Sequence, residues 1–236
     1  MTDIERRLVA IASAARIEPA TVLPRFRLFL DVLAADPTAP TTVTAPAAAV
    51  EAHIADSCDG LALDVVRDAR AVADIGAGAG FPGLVLAACL PDAQVALVES
   101  VGKKCEFMGR LIAATGLSNA LPVHARAEAW PAGIGAHDVV TARALAPLTA
   151  LVEYAAPLLR DGGHLVAWKG ARDATEDADG AAAAAATGLE LVEVRAVPPR
   201  PGADQRHLHV FRKIAPTPER YPRREGMARK RPITAS

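Results

Sequence analysis

Apolar residues recur at helical spacing from the start of the chain: Ile4, Leu8, Ile11 and Ala15, then Val22, Phe26, Phe29, Leu30 and Leu33. Each set lines one face of a 3.6-residue period, which predicts two amphipathic helices. The Pro- and Thr-rich stretch DPTAPTTVTAP (36–46) interrupts them. A third helix is predicted from Ala47 to Cys58, presenting His53, Asp56 and Ser57 near its end, with a short helix about Leu61 to Val66. These helices all precede the first strand.

From ARAVADI (69–75) onward the pattern changes. Compact apolar segments, AQVALVE, NALPVHA, HDVVTARAL and GGHLVAWKG, alternate with longer helical ones, FPGLVLAACL, KKCEFMGRLIAATG, PLTALVEYAAPLL and DATEDADGAAAAAATG. Apolar strands separated by helices indicate an α/β fold with a parallel, doubly wound sheet covered on both faces. The last two strands, LELVEVRAV and RHLHVFRK, meet at PPRPGADQ with no helix between them, so they are expected to be an antiparallel pair at one edge. Seven strands follow, organised as a helical extension (1–67), a core (68–213) and a tail (214–236) within one folding unit. The run Ala181 to Ala186, with acids before it, reads as a helix.

Composition narrows the setting. No run of apolar residues approaches the roughly twenty needed to span a bilayer, and the opening segment mixes charge into its helical period, so a cytoplasmic protein is expected. Cys58, Cys89 and Cys105 are odd in number and widely spaced, which leaves neither a disulfide framework nor a C-x-x-C metal site. The net charge of −1 hides an asymmetry: from Arg195 onward eleven Lys or Arg face three Asp or Glu, while residues 1–194 carry fifteen against twenty-four. A basic end on an acidic body suggests a polyanionic partner.

The strongest local signal is ADIGAGAGFPG, a strand running into a glycine-rich turn before a helix expected near Phe81. Such a turn brings backbone N–H groups and a helix N-terminus to a polar ligand. Gly78, Gly80 and Gly83 formally fit the dinucleotide pattern G-x-G-x-x-G, and Glu99 lies at a distance suited to a ribose. The register opposes that reading: the glycine directly after the strand is Gly76, and counting from it places Phe81 where the third glycine should stand. Asp74 followed by Gly76, Gly78 and Gly80 looks instead like the first motif of the methyltransferases that use S-adenosylmethionine. Glu99 can accept both ribose hydroxyls of an adenosine in either case. Ala127 and Glu128 follow the third strand, where this fold meets adenine, and Arg143 follows the fourth, at the carboxyl edge where ligands bind.

The chain resembles the RsmG family, 16S rRNA guanine-N7 methyltransferases also called glucose-inhibited division protein B. The resemblance rests on HIADS (53–57), DIGAGAGFPG (74–83), VESVGKKCEFM (98–108), ARAE (125–128), VTARALAPL (140–148), WKG (168–170), RHLHV (206–210) and YPRREGMARKRP (221–232), in the family's order. Two departures are TTVT (41–44), where the family usually carries an Asn-Leu-Thr-like stretch, and Ala228, a place often held by proline. The resemblance implies a class I methyltransferase fold, Rossmann-like, with S-adenosylmethionine contacted at Gly76, Phe81, Ala127, Glu128 and Arg143, joined by Gly78 and Glu99 from the motif. It makes His53, Lys103, Lys104, Lys169, His207 and Arg223 candidates for contact with 16S rRNA or the small ribosomal subunit, and Arg143 the candidate catalytic group. The expected protein is a monomer with no metal.

Methyl transfer from a sulfonium is an in-line displacement, so alignment is the enzyme's main task. Guanine N7 carries a lone pair and no proton, so no general base is assigned. Three other readings use some of the same residues: an NAD-dependent oxidoreductase, a methyltransferase of small molecules and a non-catalytic RNA-binding protein. The first leaves Asp74, Phe81 and the basic end unexplained.

Overall fold

The computed structural model describes residues 1–235. The helices α1 (Asp3–Ala14) and α2 (Pro19–Ala35) lead to α3 (Pro46–Ala49), a π-helical stretch (Val50–Ala55), α4 (Asp56–Cys58), a 3-10 turn (Asp59–Ala62) and α5 (Asp64–Arg67). Then follow β1 (Ala71–Ile75), α6 (Gly83–Cys89), β2 (Gln94–Glu99), α7 (Gly102–Thr115), β3 (Ala120–His124), β4 (His137–Arg143), α8 (Leu148–Ala155), β5 (Leu159–Lys169), α9 (Ala174–Thr187), β6 (Leu189–Val197), β7 (Arg206–Lys213) and α10 (Met227–Lys230). The sheet order is β3-β2-β1-β4-β5-β7-β6. Strands β1 to β5 pair in parallel, and β7 runs antiparallel to both β5 and β6. The predicted edge pair is present, with β7 inserted between β5 and β6.

Alternation along the strands divides the apolar residues between two cores. Val72, Val95, Leu97, Val139, Val166, Trp168 and Val210 face one side and pack with Leu8, Phe26, Phe29, Ile54, Leu61, Leu84 and Phe107. Ala73, Ile75, Val140, Ala142, Leu165, Ala167 and Phe211, their neighbours in sequence, face the other side and meet Leu151, Ala155, Ala183 and Leu189. This two-sided burial is why the central strands read as continuous apolar runs. The N-terminal helices complete the first core. α1 begins with a capping box between Thr2 and Glu5, and α2 has Pro19 in its first turn, both helix-starting devices.

Two segments differ from the sequence expectation. The single helix expected over 47–58 is a succession of short α, π-helical and α turns. Its carbonyls are drawn away by side-chain donors: Arg143 donates to Ala52 O (2.7 Å), Ser57 Oγ to His53 O (2.5 Å) and Trp168 Nε1 to Asp56 O (2.7 Å). The tail is also more than a basic extension. Arg223 donates to Glu153 through Nη2 (2.6 Å), Thr149 Oγ1 donates to Ile233 O (2.8 Å), and Ala228 is buried. Residues 223–233 therefore pack over the second core at the carboxyl edge of the sheet.

Candidate active site

The order of the strands changes direction between β1 and β4, which stay paired as far as Ile75 and Ala142, so the connections that leave their carboxyl ends diverge and a crevice opens there, the usual ligand position in such sheets. The glycine turn enters it from β1. Asp74, buried at the penultimate residue of that strand, accepts the N–H of Gly83 on Oδ2 (2.9 Å) and the hydroxyl of Thr141 on Oδ1 (2.9 Å). Its carboxylate thus ties the first residue of α6 to β4 and shapes the turn between them. Burial pushes Asp74 up to about 6, against the lowering effect of these hydrogen bonds and of Arg143. Gly83 can be no larger residue at this spacing, since a Cβ would stand 2.3 Å from Leu97 Cδ2 and 2.9 Å from Asp74 Oδ2. Gly76 turns the chain at φ +66°, a conformation in which side chains are strained.

Glu99 ends β2 and is buried to 6 % exposure at the heart of the crevice. It accepts the N–H of Gly78 (3.2 Å) and of Val101 (3.0 Å), and Lys104 Nζ lies 3.6 Å away. The carboxylate therefore binds together the turn after β1 and the start of α7. On one side of it opens a cavity walled by Ala127, Glu128, Leu145, Tyr154 and Gly226; on the other, a cleft walled by His53, Phe81, Lys104, Arg143 and Thr41. Gly76, Glu99, Ser100 and Leu145 border both, so the two are halves of one site.

The second half carries the polar groups of the N-terminal segment. His53 stacks on Phe81 with ring centroids 4.8 Å apart and donates from Nε2 to Val43 O (3.0 Å), leaving Nδ1 buried without a partner. Burial, then the charge of Arg143, pulls its pKa below the ordinary histidine value, so the ring is neutral at pH 7. Phe81 also meets Phe29 edge-on at 5.9 Å, which fixes its ring in the core. Arg143, the last residue of β4, donates Nη1 to Asp56 Oδ2 (2.6 Å). The next residue, Ala144, has φ +53°, a strained setting at the lip of the cleft. Asp56 is 1 % exposed and receives two further arginines, Arg200 (2.5 Å) and Arg206 (2.8 Å), on Oδ1. Arg200 also pairs with Asp59 (2.5 Å), whose pKa burial pushes up to about 6.

Of the residues singled out from the sequence, the structure brings together Gly76, Gly78, Phe81, Glu99, Ala127, Glu128, Arg143, His53 and Lys104. Lys103 is exposed on the first turn of α7. Lys169 is bound to Glu176 (2.6 Å), and His207, paired with Lys169 across β5 and β7, contacts Gly170 O (2.9 Å). Neither lines the crevice. Arg223, expected as an RNA contact, instead has its guanidinium committed to the buried carboxylate of Glu153, so its visible duty is to anchor the tail. Sequence reasoning gave no site role to Asp56, Arg200, Arg206 or Tyr154. Asp56 and Arg206 stand in the HIADS and RHLHV elements, and their place in those elements of the resemblance is the one available signal.

The glycine cradle, the acid at the end of β2 and the apolar wall beside Ala127 form a donor and acceptor set that suits an adenosine attached to a short polar chain. Comparison with known proteins agrees. Residues 35–208 match the family model described as rRNA small subunit methyltransferase G. The chain is 43 % identical over 187 residues to ribosomal RNA small subunit methyltransferase G of Rubrobacter xylanophilus, covering 77 % of this chain and 72 % of that protein. It is 42 % identical over 200 residues to the protein of the same name from Chloroflexus aggregans, covering 82 % of each. Among solved structures it is similar in fold to the antibiotic-resistance methyltransferase Kmr, with a TM-score of 0.53 at 23 % identity over 63 % of this chain and 88 % of that one. The 16S rRNA (adenine(1408)-N(1))-methyltransferase of Catenulisporales acidiphilia gives 0.52 at 19 % identity over 65 % and 89 %. The extent of the family match and these identities show that the chain belongs to the rRNA small subunit methyltransferase G family.

Proposed function

We propose that this protein, acting as a cytoplasmic monomer, transfers the methyl group of S-adenosylmethionine to N7 of a guanine in small-subunit ribosomal RNA. The observation that carries the reading is the two-part crevice centred on Glu99: one half suits an adenosine, and the other opens beside Arg143 and the stacked pair His53 and Phe81. Family membership favours this reading over an oxidoreductase or a methyltransferase of small molecules.

S-adenosylmethionine supplies an electrophilic methyl group on a positively charged sulfur. Gly76 and Gly78 would present backbone to its methionine part, Glu99 would accept from the ribose, and Ala127 and Glu128 would meet the adenine. Arg143 is held at the cleft by Asp56 and Ala52 O, so its guanidinium offers a fixed positive group to a phosphate, a carboxylate or the O6 edge of the base. His53 is neutral and already donates to Val43 O, which fits it to a packing role beside an aromatic base and not to proton removal. An acceptor nitrogen without a proton needs no base, and the chain's contribution is alignment and exclusion of water.

The deciding experiment is incubation with tritiated S-adenosylmethionine and naked 16S rRNA, small subunits or whole ribosomes, followed by mapping of the labelled base. Label at N7 of a guanine is expected. Label on an exocyclic nitrogen or a ribose oxygen refutes the acceptor, and labelling of small molecules alone refutes the substrate class.

A further inference from the structure

Residues 223–231 cross the open side of the adenosine half of the crevice and are fastened at several points. At the entry, both oxygens of Glu153 receive the Arg223 guanidinium, from Nε at 2.9 Å and from Nη2 at 2.6 Å, and Oε1 also accepts the Arg223 N–H at 3.1 Å. Glu153 is 1 % exposed, so a buried charge depends on this one partner. In the middle, the Gly226 N–H donates to Glu128 Oε1 (3.2 Å) and Glu225 pairs with Arg126 (3.0 Å). Beyond α10 the Ile233 carbonyl accepts from Thr149. Between these anchors Gly226, Arg229 and Lys230 form a wall of the cavity that Glu99, Ala127 and Glu128 line from the sheet.

Glu128 has two carboxylate oxygens, and its one hydrogen bond to the segment uses only Oε1. The same residue lines the cavity, so one side chain joins the strap to the pocket itself. Apart from the single turn of α10 the segment has no regular structure and is held largely by side-chain contacts, which makes local opening easier than unfolding of the core.

We propose that residues 223–231 are a closing wall of the cofactor pocket, with Arg223 and Glu128 as positioning residues, so that bound cofactor holds the strap shut and the strap retains the cofactor. This rests on the reading that the pocket takes S-adenosylmethionine. Two sites that favour the same closed state are coupled reciprocally.

The test uses S-adenosylhomocysteine and the full chain. Trypsin cuts after Arg224, Arg229 and Lys230 of the strap, and because cutting requires the open form its rate falls by a factor of one plus the ratio of ligand concentration to Kd, about tenfold at ten times Kd. Cleavage at Arg172, in the loop before α9 and outside the pocket, is expected not to change and serves as the internal control. In parallel, Gly226→Pro removes the N–H given to Glu128 and cannot adopt the φ of +75° found there, which releases the strap while Arg223 stays on Glu153. Calorimetry is expected to show about a tenfold weaker Kd for the ligand, the equivalent of one hydrogen bond. If this variant melts early, the protease result on the unaltered chain decides. Binding of the ligand with no slowing of strap cleavage overturns the proposal. Failure of the intact chain to bind the ligand overturns both the strap and the cofactor reading, whereas binding with strap protection but no rRNA methylation upholds the strap and sinks only the substrate.

Discussion

At the residue scale two buried carboxylates have opposite duties. Glu99 accepts N–H groups from two loops and borders both halves of the crevice, so its charge is matched by donors and by Lys104. Glu99→Ala removes an acceptor for the ribose and loosens the turn, and is expected to weaken S-adenosylhomocysteine binding by about 1.5–3 kcal/mol, roughly tenfold or more, in calorimetry. Unchanged affinity would take Glu99 out of the site. Asp74 has two donors and feels the charge of Arg143, but together these do not offset its burial, which is why it rises to about 6. A carboxyl whose folded pKa lies above its unfolded value takes up its proton first in the folded state. Its contribution to stability therefore increases as pH falls from about 6 toward 3.8, and above 6 the folded state carries the cost of the buried charge. Asp74→Asn keeps an acceptor for Gly83 N–H and offers its amide to Thr141, so it is expected to be at least as stable as the parent at pH 7.5. At pH 5 the parent gains on it by on the order of 1 kcal/mol. Denaturant melts of both proteins at the two pH values check this, and a difference independent of pH would place the ionisation of Asp74 elsewhere.

At the scale of elements, the site depends on how closely α6 approaches β1 and β2. Gly83→Ala forces a methyl against Leu97 and the carboxylate of Asp74, neither of which is a free surface end. The expected loss is about 1–3 kcal/mol, read as a lower melting temperature together with weaker cofactor binding, because the same displacement disturbs the glycine turn. A variant that melts normally would mean that α6 can shift freely. This turn was legible in the sequence because its parts are contiguous: strand, glycines and helix start lie within ADIGAGAGFPG, and Glu99 ends the next strand. The cluster around Asp56 was not, since Arg143, Arg200 and Arg206 reach it from three distant strand ends and loops. Local patterning carries no record of which arginines converge on one buried acid. For the same reason the segment 47–58 reads as one regular helix: the donors that take its carbonyls, Arg143 and Trp168, belong to the sheet.

For the molecule as a whole, the acidic body and the basic end are parts of one device. Glu153, Glu128 and Asp179 on the body receive Arg223, the Gly226 N–H and the Ala235 N–H, and this docking uses only some of the tail's charge. Arg224, Arg229, Lys230 and Arg231 stay exposed, and no ion pair to an acid is present for them among the described residues. The basic character was visible in composition, but which arginine anchors and which are free was not, because the choice of Arg223 follows from its meeting with Glu153 some seventy residues earlier. Deleting the tail would mix the two roles, since it exposes a buried carboxylate as well as removing charge. Changing the four exposed cations together to glutamine separates them. Every cation withdrawn from a phosphate reduces the slope of log affinity against log salt by about 0.7 to 0.9, so binding to 16S rRNA is expected to weaken and its slope to flatten by about 3 if all four take part. The melting temperature is expected to stay within a degree or two, as exposed charges without partners contribute little to stability. Titrations against rRNA over a range of salt, with a melt of each protein, measure both quantities. An unchanged slope in a stably folded variant would remove these cations from the RNA interface and leave the segment with the pocket wall alone.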